Sequence, residues 1–396
     1  MSTLAINGGK PVRDTYLAYG RQSIDDNDIQ AVVDVLKGDF LTTGPKVAEF
    51  ENNIAAYVGA KHAVAVSNGT AALHMACFAA GIKNGDEVIV APLTFAASAN
   101  CVLYCGGTPV FADIDERTYN LDPNKIEDKI TDGTRAIIPV DFTGQSVDMD
   151  KIRAIADKHK LTIIEDGAHA LGSEYKEKKV GNIAELTEFS FHPVKPITTG
   201  EGGIVITNDD RLYERMLLFR THGITRDEKL MTHSEGPWYY EQLDLGYNYR
   251  ITDIQCALGS SQMQKLDKFI ARRRQIVKAY NEAFKGIDEV ITPFEPDYSN
   301  SGWHIYVIRL KLDKLKVSRK EVFEALRAEN IGVNVHYLPV YLHPYYKKLG
   351  YQEGLCPNAE SVYQSIITLP LFPGMEKQDV DDVVAAVKKV IEYYKI

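Results

Sequence analysis

Between about residue 60 and residue 208 the chain alternates short β-rich runs with helical ones, and this alternation leaves few architectures open. HAVAV (62–66) precedes TAALHMACFAAG, EVIVAP (87–92) precedes FAASANCVLYCGG, and TPVFADI (108–114) precedes a polar turn and helix. RAIIPVD (135–141) precedes DMDKIRAIADKHK, and LTIIED (161–166) follows. Near-continuous apolar strands separated by amphipathic helices predict a mainly parallel α/β sheet covered on both faces. EFSF (188–191) and GGIVITN (202–208) stand too close together for a crossover helix, so an antiparallel strand is expected there.

At 396 residues the chain exceeds the usual size of a single core, which predicts a large domain and a smaller one. A helical stretch over residues 252–285 reads as the connector. It joins a large unit (1–251, including the N-terminal segment) to a small α+β unit (286–396) containing WHIYVIRL, a helix from about Ser318, NVHY (334–337) and a last helix from about Lys377. The net charge of -9 argues against nucleic acid as a partner. RRR at 272–274 reads as a solvated helix face. The longest apolar region, VIVAPLTFAASANCVLY, is broken by Pro92, Thr94, Ser98 and Asn100, so no membrane span is expected. The N-terminus lacks the apolar core of a signal peptide, and a cytoplasmic location is the expectation. Five cysteines without a CxxC give no metal pattern, and Cys101 and Cys105 read as free buried thiols.

Three short stretches carry chemistry-bearing residues. In AVSNGTAAL (65–73) a β-run ends, Asn68-Gly69-Thr70 turn the chain and a helix begins. Free N–H groups and the helix dipole make such a turn a phosphate cradle, although Asn and Thr there also suit an ordinary N-cap. In LTIIEDGAHALGS (161–173), Asp166 falls at the end of an apolar strand, where open α/β sheets bind ligands, and His169 follows three residues later. In FSFHPVKPITTGEGG (189–203), Lys195 stands between Pro193 and Pro196, with Ser190 in the preceding β-run. The prolines restrict the backbone on both sides of the lysine. Each stretch alone has a bland reading as a cap, a core histidine or a surface loop. Together they are the parts that pyridoxal 5'-phosphate needs: a phosphate cradle, a carboxylate for the pyridine nitrogen and an amine for the aldehyde. Phe95, at the end of EVIVAPLTF, would supply a stacking ring, or would be a plain core aromatic.

EDGAHALGSEY, FSFHPVKPITTGEGGIVITND and LGYNYRITDIQCALGSSQM resemble the signature blocks of the DegT/DnrJ/EryC1/StrS sugar aminotransferases, and the resemblance runs from YGRQSIDDNDIQAV (19–32) to ITLPLFPGM (367–375). It implies a fold-type I enzyme with a large, mostly parallel sheet of the seven-stranded type. It also implies pyridoxal 5'-phosphate as cofactor and a homodimer with shared active sites. Lys195 then matches the Schiff-base lysine, Asp166 the pyridinium partner, and His169 the residue beside the phenolic oxygen. Gly69, Thr70 and Ser190 match phosphate positions, Phe95 the stacking aromatic, and Asn248 an asparagine reaching the phosphate from the neighbouring subunit. Within the family, PITTGEGG and VHYLPVYLHPYY look most like the members that aminate C4 of a UDP-linked 4-keto-6-deoxy-N-acetyl hexosamine in pseudaminic-acid-type biosynthesis. Glutamate is the donor there and 2-oxoglutarate the product. Tyr19, Asp39, Phe40, Leu41, Thr42, His336 and Tyr337 match substrate-side positions, and Arg220 and Arg250 are candidates for the diphosphate. Two other substrate classes stay open, a dTDP-3-keto sugar and a dTDP- or UDP-4-keto-6-deoxyhexose. From other classes, a non-catalytic nucleotide-sugar sensor remains a rival, as does a cysteine desulfurase, for which Cys356 is the one candidate nucleophile.

Overall fold

A computed structural model describes residues 3–396. The central sheet has seven strands: β1 (His62–Val66), β2 (Glu87–Val90), β3 (Thr108–Phe111), β4 (Thr134–Ile138), β5 (Thr162–Asp166), β6 (Leu186–Ser190) and β7 (Gly203–Thr207), in the order β1-β7-β6-β5-β4-β2-β3. Strands β3, β2, β4, β5 and β6 pair in parallel, and β7 runs antiparallel to both β1 and β6. The antiparallel strand stands where the missing crossover helix placed it.

Burial on both faces follows from the two-residue period of a strand. On β4, Ala136 and Ile138 enter one apolar cluster with helix Gly69–Ala79, whereas Ile137 enters the opposite cluster with Ile152 and Ala156 of helix Met149–His159. Both faces being covered, the sheet leaves only its strand ends for ligands.

The stretch 252–285 is two helices, Asp253–Met263 and Leu266–Phe284, not one. The second spans two cores, with Phe269 and Ile270 beneath the large sheet and Ile276, Val277, Tyr280 and Phe284 in the C-terminal cluster. In the C-terminal unit, strands Val290–Ile291, Tyr306–Leu310 and Ile366–Leu369 pair antiparallel. Helices Arg319–Ala328 and Lys377–Tyr394 bury their apolar residues in the same cluster. Residues 334–337 form no strand: Asn334 bridges Thr368, and the segment then turns toward the large sheet.

Two sequence expectations are corrected by long-range packing. The N-terminal segment packs on the C-terminal unit, with Leu4 and Leu17 in its apolar cluster. The backbone N–H groups of Ala5 and Val12 there donate to Glu329, each at 2.9 Å. The arginine run is not a solvated face. Arg273 is 1% exposed, and its Nη1 donates to the carbonyls of Trp303 (3.3 Å), His304 (2.9 Å) and Leu371 (2.9 Å). Arg272 reaches the Met375 carbonyl and Arg274 those of Ser301 and Asn300. Loops from elsewhere in the chain offer carbonyls that local charge patterning does not reveal.

Candidate active site

The carboxyl ends of β1, β2, β5 and β6 converge on a cavity of about 900 Å³. Asp166, the last residue of β5, lies beside Glu188 of β6. Its Oδ2 accepts from the Ser98 hydroxyl at 2.6 Å, and its Oδ1 from the Ala168 N–H at 3.1 Å. These bonds fix the carboxyl at the strand end. Beyond β1, Asn68 caps helix Gly69–Ala79 by accepting from Ala71 N–H at 2.8 Å. The first-turn N–H groups of Gly69 and Thr70 lack intrahelical acceptors, as helix geometry requires.

Lys195 is held by the loop between β6 and β7. Its N–H donates to the His192 carbonyl at 2.9 Å, closing a turn with Pro193 at its second position, which proline favours. The loop is tied at its base, because Phe191 donates to Gly202 at 2.8 Å and accepts from Thr199 at 3.1 Å. Gly203, which opens β7, is required by close approach. A Cβ there would stand 2.5 Å from the Asn68 carbonyl oxygen, so any other residue would push the cradle away from β7.

The electrostatics follow from burial. Desolvation brings the Lys195 amine down to about 8, against the opposing pull of Glu188 and Asp166. About a tenth of the amine is therefore neutral at pH 7 and about half at pH 8. His169 and His304 are held neutral, chiefly by burial, with ring centroids 4.4 Å apart. His169 Nε2 lies 3.3 Å from the Tyr337 hydroxyl, and among the described residues its Nδ1 has no partner. His336 is lowered to about 4 by burial and, secondarily, by Lys195. Its Nδ1 lies 2.9 Å from Thr368 Oγ1.

Tyr19, Gly69, Thr70, Phe95, Asp166, His169, Ser190, Lys195, His336 and Tyr337 all line this one cavity. Phe95 is not a core aromatic: it is 62% exposed, with its ring 6.2 Å from that of Tyr337. The remaining candidates lie elsewhere in the chain. Arg220 is engaged by Glu51 and the Ala65 carbonyl, and with Arg250 it lines a separate cleft of about 290 Å³. It therefore lies outside the cavity that holds Lys195. Leu41 accepts from Asp253 N–H and Thr42 bridges Thr252, while Asp39 and Phe40 are exposed beside them. Asn248 bridges Thr221, outside its own chain's cavity. Cys356 is fully buried at the start of helix Pro357–Ser365 and does not line the cavity, so no thiol there serves a desulfurase.

Sequence reasoning passed over Ser98, Ala168 and Glu188. Ser98 was a hydroxyl in an otherwise apolar run, the one available signal. Glu188 gave none, since a carboxylate in a β-run normally points to solvent.

Behind Asp166 lies a second carboxyl pair, Asp141 and Glu165, both wholly buried. Burial raises Glu165 to about 7, although the Thr187 hydroxyl at 2.8 Å partly stabilises its charge. The native state therefore holds this proton more tightly than the unfolded chain does. Stability from this group is full below about 4.5 and falls as pH rises toward 7. Unfolding free energy measured against pH is expected to flatten across that window in Glu165→Gln.

The chain matches the DegT/DnrJ/EryC1/StrS aminotransferase family over residues 22–388. It belongs to that family. The aminotransferase is 45% identical to the spore coat polysaccharide biosynthesis protein SpsC of Bacillus subtilis, over 96% of this chain and 98% of that one. It is 40% identical to a UDP-4-amino-4,6-dideoxy-N-acetyl-beta-L-altrosamine transaminase of Campylobacter jejuni, again over 96% and 98%. Among solved structures, Helicobacter pylori PseC, an aminotransferase of pseudoaminic acid biosynthesis, superposes with a TM-score of 0.90 at 33% identity, over 96% of this chain and 100% of that one. This is a sugar aminotransferase of fold type I that depends on pyridoxal 5'-phosphate.

The cavity fits the cofactor on its own geometry. It offers a helix N-terminus for an anion, a fixed carboxyl, a half-buried amine, an orphaned His169 Nδ1 and an exposed aromatic ring. A Cβ at Gly69 would fill the cradle, meeting Glu188 Oε1 at 2.7 Å and Ser190 Oγ at 3.1 Å. Overpacking of this kind costs about 1–3 kcal/mol, so Gly69→Ala is expected to weaken cofactor affinity roughly tenfold or more, read by equilibrium binding.

Proposed function

We propose that this chain moves an amino group from glutamate to C4 of a UDP-linked 4-keto-6-deoxy-N-acetyl hexosamine, in pseudaminic-acid-type sugar biosynthesis. The observation that carries the amino-transfer chemistry is Lys195, a half-buried amine that desolvation brings to about 8 in a cavity it shares with Asp166. Similarity to the Campylobacter jejuni transaminase supports the choice of sugar.

When bound, pyridoxal 5'-phosphate supplies an electron sink that lets an amine and a ketone exchange nitrogen. In this reading Lys195 holds the cofactor between turnovers. Its freed Nζ takes the α-proton of glutamate and, in the second half-cycle, delivers a proton to the sugar carbon that becomes aminated. The tied loop returns the amine to one place each time, which general acid–base work requires. Asp166 would pair with the pyridine nitrogen, Gly69, Thr70 and Ser190 would hold the phosphate, His169 would meet the phenolic oxygen, and Phe95 would offer a ring to stack on. Tyr19, His336 and Tyr337 contact the sugar. Asn248 serves the partner's phosphate in a homodimer, a placement supported by its position outside its own cavity.

Incubating the purified protein with glutamate and a panel of UDP- and dTDP-keto sugars, followed by mass spectrometry, tests the assignment. Amination of the UDP-4-keto-N-acetyl sugar is the expected result. Amination of a dTDP-3-keto sugar alone rejects the substrate and leaves the chemistry of Lys195 standing. The greater identity to SpsC, a polysaccharide biosynthesis protein, favours a different nucleotide sugar as the second reading.

A further inference from the structure

Glu188 has no role in the cycle described above, yet it is the most unusual side chain in the cavity. It sits on β6 directly beside Asp166 of β5, is wholly buried, and among the described residues no donor reaches either carboxyl oxygen, with the Asp166 carboxyl close enough to share a proton. Ser190 follows two residues later on the same strand face, and the two side chains converge on the N-terminus of helix Gly69–Ala79. Glu188 Oε1 and Ser190 Oγ stand 2.7 and 3.1 Å from the point a Cβ on Gly69 would occupy. Glu188 thus forms part of the floor of the anion cradle.

A charged carboxylate there opposes the anion that the cradle is built to receive. The groups facing Glu188 are Asp166 from β5, Lys195 from the loop and Cys101 from helix Ala97–Tyr104, with the positive end of helix Gly69–Ala79 above it. Burial and Asp166 push the carboxyl well above the ordinary range, and Lys195 opposes this only in part. Removing charge from Glu188 by adding a proton also converts it from a pure acceptor into a donor.

We propose that Glu188 is a positioning residue of the cofactor cradle that takes up a proton as the cofactor phosphate binds, and donates that proton as a hydrogen bond to the phosphate. Cofactor loading is then coupled to pH through a residue outside the amino-transfer steps. The inference rests on the reading of the cavity as the cofactor site. It goes beyond that reading in assigning a proton to the cradle.

The test compares wild-type protein with Glu188→Gln and Glu188→Ala, using pyridoxal 5'-phosphate and phosphate-free pyridoxal as probes. Affinity is read by fluorescence quenching from about pH 6 to pH 9. Proton uptake is counted by calorimetry in buffers of different ionisation enthalpy. The wild type is expected to take up more protons with the phosphorylated probe than Glu188→Gln does at the alkaline end of that range, by about one, and to lose affinity about tenfold more steeply as pH rises. Glu188→Ala is expected to bind the phosphorylated probe at least about tenfold more weakly than Glu188→Gln at every pH, with pyridoxal affinity unchanged. Equal proton uptake and parallel pH profiles in wild type and Glu188→Gln overturn the proposal, as does undiminished binding by Glu188→Ala. If neither substituted chain folds, wild-type uptake still decides: no difference between the two probes anywhere in that pH range overturns it. Absence of cofactor binding by the wild type defeats the reading of the cavity instead.

Discussion

Lys195→Ala is expected to reduce amino transfer by about 10⁴-fold or more, because one side chain acts both as the cofactor's anchor and as the proton carrier. Borohydride treatment of the wild-type protein should leave the cofactor covalently on the peptide containing Lys195, and the substituted protein should release it on denaturation. The effect is large because burial makes the neighbouring imidazoles of His169, His304 and His336 weak bases. His169 and His304 have no role as cations, since burial keeps both neutral, and His336 is brought to about 4. Asp166 is engaged by Ser98 and Ala168. The pH profile should carry the same signature, with kcat, which reports the freed amine, rising as Lys195 loses its proton near pH 8. Retention of more than a hundredth of the wild-type rate by Lys195→Ala sinks the assignment.

Arg273→Leu is expected to lower stability by about 3–5 kcal/mol, measured by chemical denaturation. Leucine replaces the apolar stem but leaves the carbonyls of Trp303, His304 and Leu371 without the donor they share. Each such loss in a dry interior costs on the order of 1–3 kcal/mol. Burying the guanidinium is itself costly, and its proton affinity falls to about 10 for that reason. The balance still favours arginine, because its fork joins segments 303–304 and 371, which no leucine can bridge. His304 lines the cavity, so the same substitution should also weaken cofactor binding. A denaturation midpoint unchanged from wild type contradicts this account.

Much of this protein was legible locally. Apolar runs of strand length separated by helical ones encode a two-sided parallel sheet, because each strand in such a sheet must be apolar on both faces. The short gap between β6 and β7 forces the antiparallel pairing. Lys195, Asp166 and the Asn68-Gly69-Thr70 turn stood out because each falls at a strand end, and the sheet brings those ends to one edge. The partner of Arg220 was hidden, because Glu51 is distant in sequence. The N-terminal segment was misplaced for the same reason, its anchor Glu329 lying near the other end of the chain.

The sequence by itself determined the sheet, the order of its strands along the chain and the residue types delivered to its edge, since these depend on periodicity and spacing. Only the tertiary structure decided the energetic state of those residues. Burial sets how readily Lys195 gives up its proton, closes Arg273 around three carbonyls and places an unpartnered Glu188 beneath the cradle. The physical reason is that desolvation depends on everything packed around a group, and most of those atoms come from remote parts of the chain.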